Sequence, residues 1–362
     1  MDEAATGPAG KEIVMDDERK ATNGKVTIRD VARAAGVNPS TVSRAFARPG
    51  RVNVDTAKRI FAVADELGYR SETVHSYPTS GDGGHLNGLI AFVVADLANP
   101  IYAELVKSAQ HQCLRKGFGL LVIDSEESGA LEQNALRQTN VHIDGIVLAS
   151  SRLSDSAVRK MAETKPVITI NRSVRGVQSV IADTHEGIAQ AVKHLDELGH
   201  ASITYLSGPA ASWQDGIRWR ALTAACEARH IRLRRIMCPN PTFSGGYRCY
   251  DAYAKNPTTA VIGYNDLEAI GFIAALKAHQ VAVPQQVSVI GIDDTPISAL
   301  TTPALTTIRL PRRQMGEAAV QELISRLLHT AHDHTMVPIR FATTLVNRAS
   351  TAEVDRLTAY AS

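Results

Sequence analysis

The chain has 362 residues, 44% hydrophobic and 21% charged, with 39 Lys+Arg against 37 Asp+Glu and a net charge of +2. That length suggests two or three compact units of ordinary globular composition, and no apolar run reaches the roughly 18 residues that a membrane span needs. The four cysteines, Cys113, Cys226, Cys238 and Cys249, lack metal or redox spacing, so the expectation is reduced thiols with neither a metal site nor a disulfide framework.

Residues 1–24 carry six acidic and three basic side chains. They lack the apolar core of a secretory signal and are expected to form a disordered acidic tail, within which Met15 offers an alternative start. Residues 25–72 reverse the sign, with nine Lys/Arg against five acids. Here Thr27 caps a first helix with Ile28, Val31, Ala32 and Ala35 on one face, and Gly36 ends it. Asn38 caps a second helix with Pro39 at its first position. That helix points Val42 and Ala45 inward and Ser40, Thr41, Ser43 and Arg44 outward. Asn53 caps a third, with Ile60, Val63, Ala64 and Leu67 inside. A helix, a Gly turn and a polar-faced second helix make the helix-turn-helix pattern. The concentrated positive charge is what phosphate binding needs. Residues 73–87 are rich in Pro, Gly and Ser and read as a linker.

From Gly88 short apolar runs alternate with amphipathic helices. Strands are expected at 89–94, 119–123, 145–148, 167–170, 179–182, 203–206, 260–263 and 287–291. Helices are expected at 102–116, 187–198, 215–229, 267–279 and 316–328. Such alternation predicts an α/β unit with parallel sheets covered on both faces, and eight strands suit two doubly wound lobes. Ligands of such folds bind beyond the carboxyl ends of the strands. The polar residues there include Tyr102, Asp124, Asn171, Arg172, Trp213, Arg218, Asn265 and Asp293. Asn99 reads equally well as a plain turn, and Asp266 is expected to cap its helix rather than meet the ligand. Asn, Asp, Arg and one or two aromatics suit a polyhydroxylated ligand, whose hydroxyls must regain the partners lost from water. A sugar or sugar derivative is the expected effector class. Residues 351–362 form a C-terminal tail.

The runs TIRDVARAAGV, STVSR, GRV and AKRIFAVADELGYR resemble the DNA-binding head of the LacI/GalR family of bacterial transcription regulators. The resemblance continues through YNDLEAIG and VIGIDDTPIS to Arg348. It implies a cytoplasmic, nucleoid-associated homodimer, most often a repressor, that reads a pseudo-palindromic double-stranded operator. It also implies a sensor similar to periplasmic sugar-binding proteins, with its effector between two lobes. Pro39, Ser40 and Arg44 fall where the family reads bases. Thr27, Asn38, Thr41, Ser43 and Arg51 are better placed for phosphate. Arg218 stands where the family commonly contacts its effector, and Asn265 and Asp293 where it usually binds ligand hydroxyls. The crossovers between lobes are expected near 164–166, 293–297 and 327–330. Lobe 1 then comprises about 88–165 and 294–327, and lobe 2 about 166–293 and 328–350. Helix 316–328 is a candidate dimerisation surface.

After Tyr69-Arg70 the pattern departs from the family, whose hinge helix wedges a Leu into the minor groove. Here Ser71, Glu72, His75, Ser76 and Pro78 occupy the matching positions, and Pro breaks a helix interior. Either Tyr77 replaces the wedge or the DNA is bent less. The alternative function is a cytosolic solute-binding sensor without DNA regulation. No phosphate-binding Gly motif, nucleophile elbow or metal-spaced His pair occurs, so neither an enzyme nor a cofactor is expected.

Overall fold

A computed structural model describes residues 26–47, 51–67, 69, 86–238, 240–328 and 336–354. The N-terminal tail, nearly all of the linker with its Pro78 and Tyr77, and the last eight residues lie outside these. The chain divides into two compact units, Met1–Ser76 and Tyr77–Ser362.

The smaller unit has three helices, α1 (Ile28–Ala34), α2 (Pro39–Ala47) and α3 (Val54–Glu66). Val31, Ala32, Ala35, Val42, Ala45, Ile60 and Ala64 form its core. These are small or β-branched residues, so the helices pack closely. Phe46 meets Phe61 edge-on at 5.1 Å and Tyr69 at 5.7 Å, closing one side. Gly36, at φ +64, makes the reversal after α1. Asn53 Oδ1 accepts from the backbone N–H of Asp55 and Thr56 and starts α3.

The larger unit begins with β1 (Leu89–Val94), α4 (Ile101–Arg115), β2 (Gly119–Asp124), α5 (Gly129–Thr139), β3 (Gly145–Ala149), α6 (Asp155–Ala162), β4 (Val167–Ile170) and β5 (Gln178–Asp183). It continues with α7 (Thr184–Glu197), β6 (Ser202–Ser207), α8 (Trp213–Glu227), β7 (Arg232–Met237), α9 (Phe243–Arg248), α10 (Tyr250–Tyr253), β8 (Ala260–Gly263), α11 (Asp266–Ala278), β9 (Ser288–Asp293) and β10 (Thr306–Arg309). It closes with α12 (Arg312–Leu327), β11 (Ile339–Ala342) and β12 (Thr344–Val346). No described helix is long and apolar enough to cross a membrane.

The strands form two six-stranded sheets, in the orders β11-β5-β4-β3-β1-β2 and β12-β10-β9-β8-β6-β7. Every pairing is parallel except β10 with β12. Central strands such as Gly145–Ala149 and Val167–Ile170 are buried throughout, because helices cover both faces. Four strands carry no signal strong enough to be expected from sequence. β7, RLRRIM, is an edge strand whose arginines reach solvent, so it lacks an apolar run. β10, β11 and β12 are only three or four residues long and, unlike β4 and β8, carry an Arg or, in β12, only two apolar residues, so they show no apolar run.

The crossovers lie elsewhere than expected. The 164–166 turn only ends α6, because β4 pairs with β3 (Ile146 opposite Val167) and stays in the first sheet. β5 follows it there, and the chain first crosses between Asp183 and Thr184. The loop after Asp293 returns to the second sheet as β10, so the second crossing comes at 310–311. α12 leads to β11, which pairs with β5, and the third crossing is at Thr343. Lobe 1 therefore takes in 167–183 and 339–342, and lobe 2 keeps 294–309. The Thr343 hydroxyl donates to the Asp183 carbonyl at 2.9 Å, tying two crossings together.

Helix α12 does not present its apolar face to a partner. Met315, Gly316, Ala319, Val320, Leu323, Ile324 and Leu327 are buried, and the helix packs on α4. A Cβ at Gly316 would lie 2.2 Å from Ser108 Oγ and 2.6 Å from the Leu105 carbonyl oxygen. Gly316→Ala should therefore destabilise the larger unit by about 1–3 kcal/mol, despite alanine's better helix propensity. A thermal melt no lower than wild type would show that the two helices separate freely.

Candidate functional site

In the smaller unit, α2 exposes Pro39, Ser40, Ser43 and Arg44, while Thr41 is half-buried. Asn38 and Arg51 are also exposed. The Asn38 carbonyl accepts from the N–H groups of Thr41 and Val42 and begins the helix. Among the described residues Arg44 forms no ion pair, so its fork of donors is available. Thr27 is differently engaged: its N–H and hydroxyl both donate to Asp30 Oδ2, at 2.9 and 2.6 Å. These bonds hold the Asp30 carboxyl below its usual range. In this arrangement the Thr27 hydroxyl proton is not free for a phosphate.

In the larger unit, parallel strands bring the loops after β1, β2, β3, β4, β6, β8 and β9 to the carboxyl edges of the two sheets. Strained backbone concentrates there. Glu126, Glu127, Ser150, Asn171, Asp293 and Asp294 have positive φ, against two such non-Gly residues elsewhere among those described. From lobe 1 come Tyr102, buried, and Arg152, which pairs with Glu127 at 2.5 Å. Both lie within electrostatic range of Tyr264 in lobe 2. The lobes also touch directly, Gln214 Nε2 donating to the Asn171 carbonyl at 3.1 Å.

Lobe 2 contributes the charged centre. Ser212 caps α8, and Arg218 lies one turn beyond Gln214 on the same helix. Asp215 Oδ1 accepts from the Tyr205 hydroxyl and the Gly208 N–H, fixing the turn that leads into α8. The Arg218 guanidinium sits 4.6 Å from the centre of the Tyr264 ring and donates to the Tyr264 carbonyl. Its Nη2 is 3.8 Å from Asp293 Oδ1, too long for a hydrogen bond. Arg218 Nε, Asp293 Oδ1 and Gln214 Oε1 are all buried without hydrogen-bond partners. Burial pushes the Asp293 carboxyl up to about 8; Arg218 opposes this, Asp266 adds to it and Arg312 opposes it.

Several residues expected to face the ligand are committed elsewhere. Arg172 donates to the Ser151 carbonyl at 2.9 Å and to Asp155 at 2.6 Å, both within lobe 1. Asp124 accepts from the N–H groups of Leu97 and Glu126 and shapes its own loop. Asn265 caps α11 through the Glu268 N–H and donates to the Pro241 carbonyl, both at 2.8 Å. Asn171 uses Oδ1 for the Ala182 N–H. Trp213 is the first residue of α8 and half-buried. Asp266 is a buried hub: it accepts from the Thr295 N–H and from the hydroxyls of Thr295, Ser298 and Thr307.

Gln214, Tyr264 and Arg152 were not anticipated. The i, i+4 spacing of Gln214 and Arg218 was a usable signal once α8 was known to begin at Trp213. Tyr264 and Arg152 follow strands directly, where any residue type occurs.

Comparison with known proteins agrees with this architecture. The profile of bacterial regulatory proteins, lacI family, matches residues 27–72. That of the periplasmic binding protein-like domain matches residues 192–351. The chain is 31% identical over 304 residues to the HTH-type transcriptional regulator DegA of Bacillus subtilis, covering 81% of this chain and 88% of that protein. It is also 31% identical over 340 residues to the HTH-type transcriptional regulator GalS of Salmonella typhimurium, covering 90% and 97%. Among solved structures, a lac repressor dimer bound to operator and an anti-inducer aligns at TM-score 0.69 and 23% identity, over 91% of this chain and 100% of that one. A LacI family regulator from Enterococcus faecium with bound ribose aligns at TM-score 0.66 and 23% identity, over 74% and 100%. The chain belongs to the LacI family of bacterial regulatory proteins, as a DNA-binding transcriptional regulator with a periplasmic-binding-protein-like sensor.

Proposed function

We propose that this regulator is a repressor of a sugar or related metabolite operon, controlled by a polyhydroxylated ligand held between its sensor lobes. The observation that carries the reading is the trio of buried, unpartnered atoms: Arg218 Nε, Asp293 Oδ1 and Gln214 Oε1. Each such atom costs about 1–3 kcal/mol when unsatisfied. One donor and two acceptors are what neighbouring hydroxyls complement, since each both donates and accepts. Trp213, half-buried at the start of α8, offers an apolar face to a sugar ring. The ribose bound to the Enterococcus faecium regulator belongs to the same ligand class. Action on an operator places the protein in the cytoplasm at the nucleoid, as a homodimer on two half-sites and without a catalytic role. Linkage then requires ligand and operator to oppose each other equally.

A thermal-shift screen against pentoses, hexoses and nucleobases identifies the ligand class, because a pocket ligand stabilises the fold. With a stabilising sugar in hand, Arg218→Met should weaken its binding at least about tenfold by calorimetry, losing a buried charge-assisted bond. Operator affinity in a mobility-shift assay should stay within about threefold. Unchanged sugar binding would displace the pocket from Arg218.

Binding should also depend on pH in a defined direction. Burial holds the proton on Asp293 up to about 8. A hydroxyl donating to Oδ1 bonds more strongly to the carboxylate than to the neutral acid, so binding favours loss of the proton. Affinity should then rise with pH below about 8, by at most tenfold per unit, and flatten above it. Asp293→Asn should abolish the slope. Affinity that falls with rising pH would refute a hydroxyl donor at this oxygen.

On the DNA side, Arg44 is the one long side chain on the exposed face of α2 and suits a guanine edge. Arg44→Ala should cost about 1–3 kcal/mol and relax preference at one base per half-site, read by binding to an operator library. An equal loss across all operator variants would instead make Arg44 a phosphate contact.

A further inference from the structure

Cys238, Cys249 and Glu268 are far apart in sequence but meet inside lobe 2. One ligand atom from each, the two sulfurs and a carboxylate oxygen, lies within 4.8 Å of the others, and all three residues are buried. Cys238 stands immediately after β7, Cys249 caps the carboxyl end of α9, and Glu268 is in the first turn of α11. Close helix packing creates the juxtaposition. A Cβ at Gly246 would lie 1.9 Å from the Glu268 carbonyl oxygen, so α9 reaches α11 only because that residue is glycine.

Two features mark the cluster as more than packing. Glu268 uses Oε2 to accept the Tyr264 N–H at 2.7 Å, but its Oε1 is buried without a well-formed hydrogen bond, and the Cys238 thiol gives the carboxyl only a weak donor. A carboxyl so placed is costly unless something compensates it. Beside the sulfurs lies a cavity of about 140 Å³, lined by Cys238, Asn240, Arg248 and Cys249 among others. It provides both an entry path and room for one further ligand.

We propose that Cys238, Cys249 and Glu268 bind a thiophilic divalent cation of the zinc class. Two thiolates and one carboxylate select zinc, cobalt or cadmium over magnesium or calcium. Zinc-to-sulfur bonds of about 2.3 Å and zinc-to-oxygen bonds of about 2.0 Å put tetrahedral ligands roughly 3.5–4 Å apart. The three atoms need to close by no more than about an ångström to reach that geometry. Three protein ligands leave a fourth position facing the cavity. Charge balances too: three anionic ligands against a divalent cation leave one negative charge, next to Arg248. Binding displaces the two thiol protons and any on the carboxyl, which pass to solvent. The consequence reaches the sensor pocket. Glu268 holds the Tyr264 N–H and Asn265 caps the Glu268 N–H, so a cation on Glu268 fixes the loop beneath Arg218.

The test uses tag-free, full-length protein, stripped with chelator and kept reduced, then titrated with cobalt(II). One equivalent per chain should bind with thiolate-to-cobalt charge-transfer absorption, and zinc should abolish that absorption. Cys249→Ser should remove most of the charge-transfer intensity and weaken zinc binding at least about tenfold, and Glu268→Gln should weaken it similarly. Cys113→Ala/Cys226→Ala should bind as wild type. In wild-type protein, zinc should also protect two thiols from a thiol reagent, reversibly with chelator, a readout that needs no variant to fold. Absence of charge-transfer absorption in the wild type, its persistence in Cys249→Ser, or unprotected thiols would each overturn the site.

Discussion

The buried pair of Arg218 and Asp293 is the interaction around which the sensor is organised. A guanidinium and a carboxyl are brought out of water yet held 3.8 Å apart, short of a hydrogen bond. Their removal from solvent is tolerable only because neighbours share the load. Tyr264 offers its ring face and carbonyl to the arginine. Arg312, at the start of the helix that follows the second crossing, donates to the Asp293 carbonyl and pairs with Glu104 in lobe 1. What remains unsatisfied is specific in place and polarity.

Parallel topology puts this pair where it is useful. Because paired strands run the same way, the loops that leave their carboxyl ends all lie at one edge of each sheet, and contacts such as Gln214 to Asn171 join those edges. Asp183 and Thr343 are hydrogen-bonded, which ties two of the three crossings together. The strained backbone at Ser150, Asn171, Asp293 and Asp294 lies in the loops that face across the join. Backbone of that kind persists only where surrounding contacts overdetermine it.

Much of this was legible beforehand. The caps, the Gly turn and the apolar faces of the head are local signals, and the helices formed where those signals lay. The eight apolar strands were legible for the same reason, since burial on both faces writes itself as a continuous hydrophobic run. Strands β7 and β10–β12 were not, being charged at an edge or too short to show periodicity. Arg218 and Asp293 stood out as charged residues following strands. Arg172, Asp124 and Asn265 stood out equally, yet their hydrogen bonds are spent on their own loops and helices. Residue type and position give no means of telling a spent polar group from a free one.

Sequence by itself determined the DNA-reading head, the α/β class of the sensor and the strand ends where a ligand would bind, because those follow from local capping and hydrophobic pattern. Tertiary structure alone decided where the chain crosses between lobes, since strand pairing over long separations sets that. It alone left Arg218 Nε, Gln214 Oε1 and Asp293 Oδ1 without hydrogen-bond partners, and it alone brought Cys238 and Cys249 to Glu268. Both depend on which groups meet after packing, and the spacing of residues along the chain does not encode that meeting.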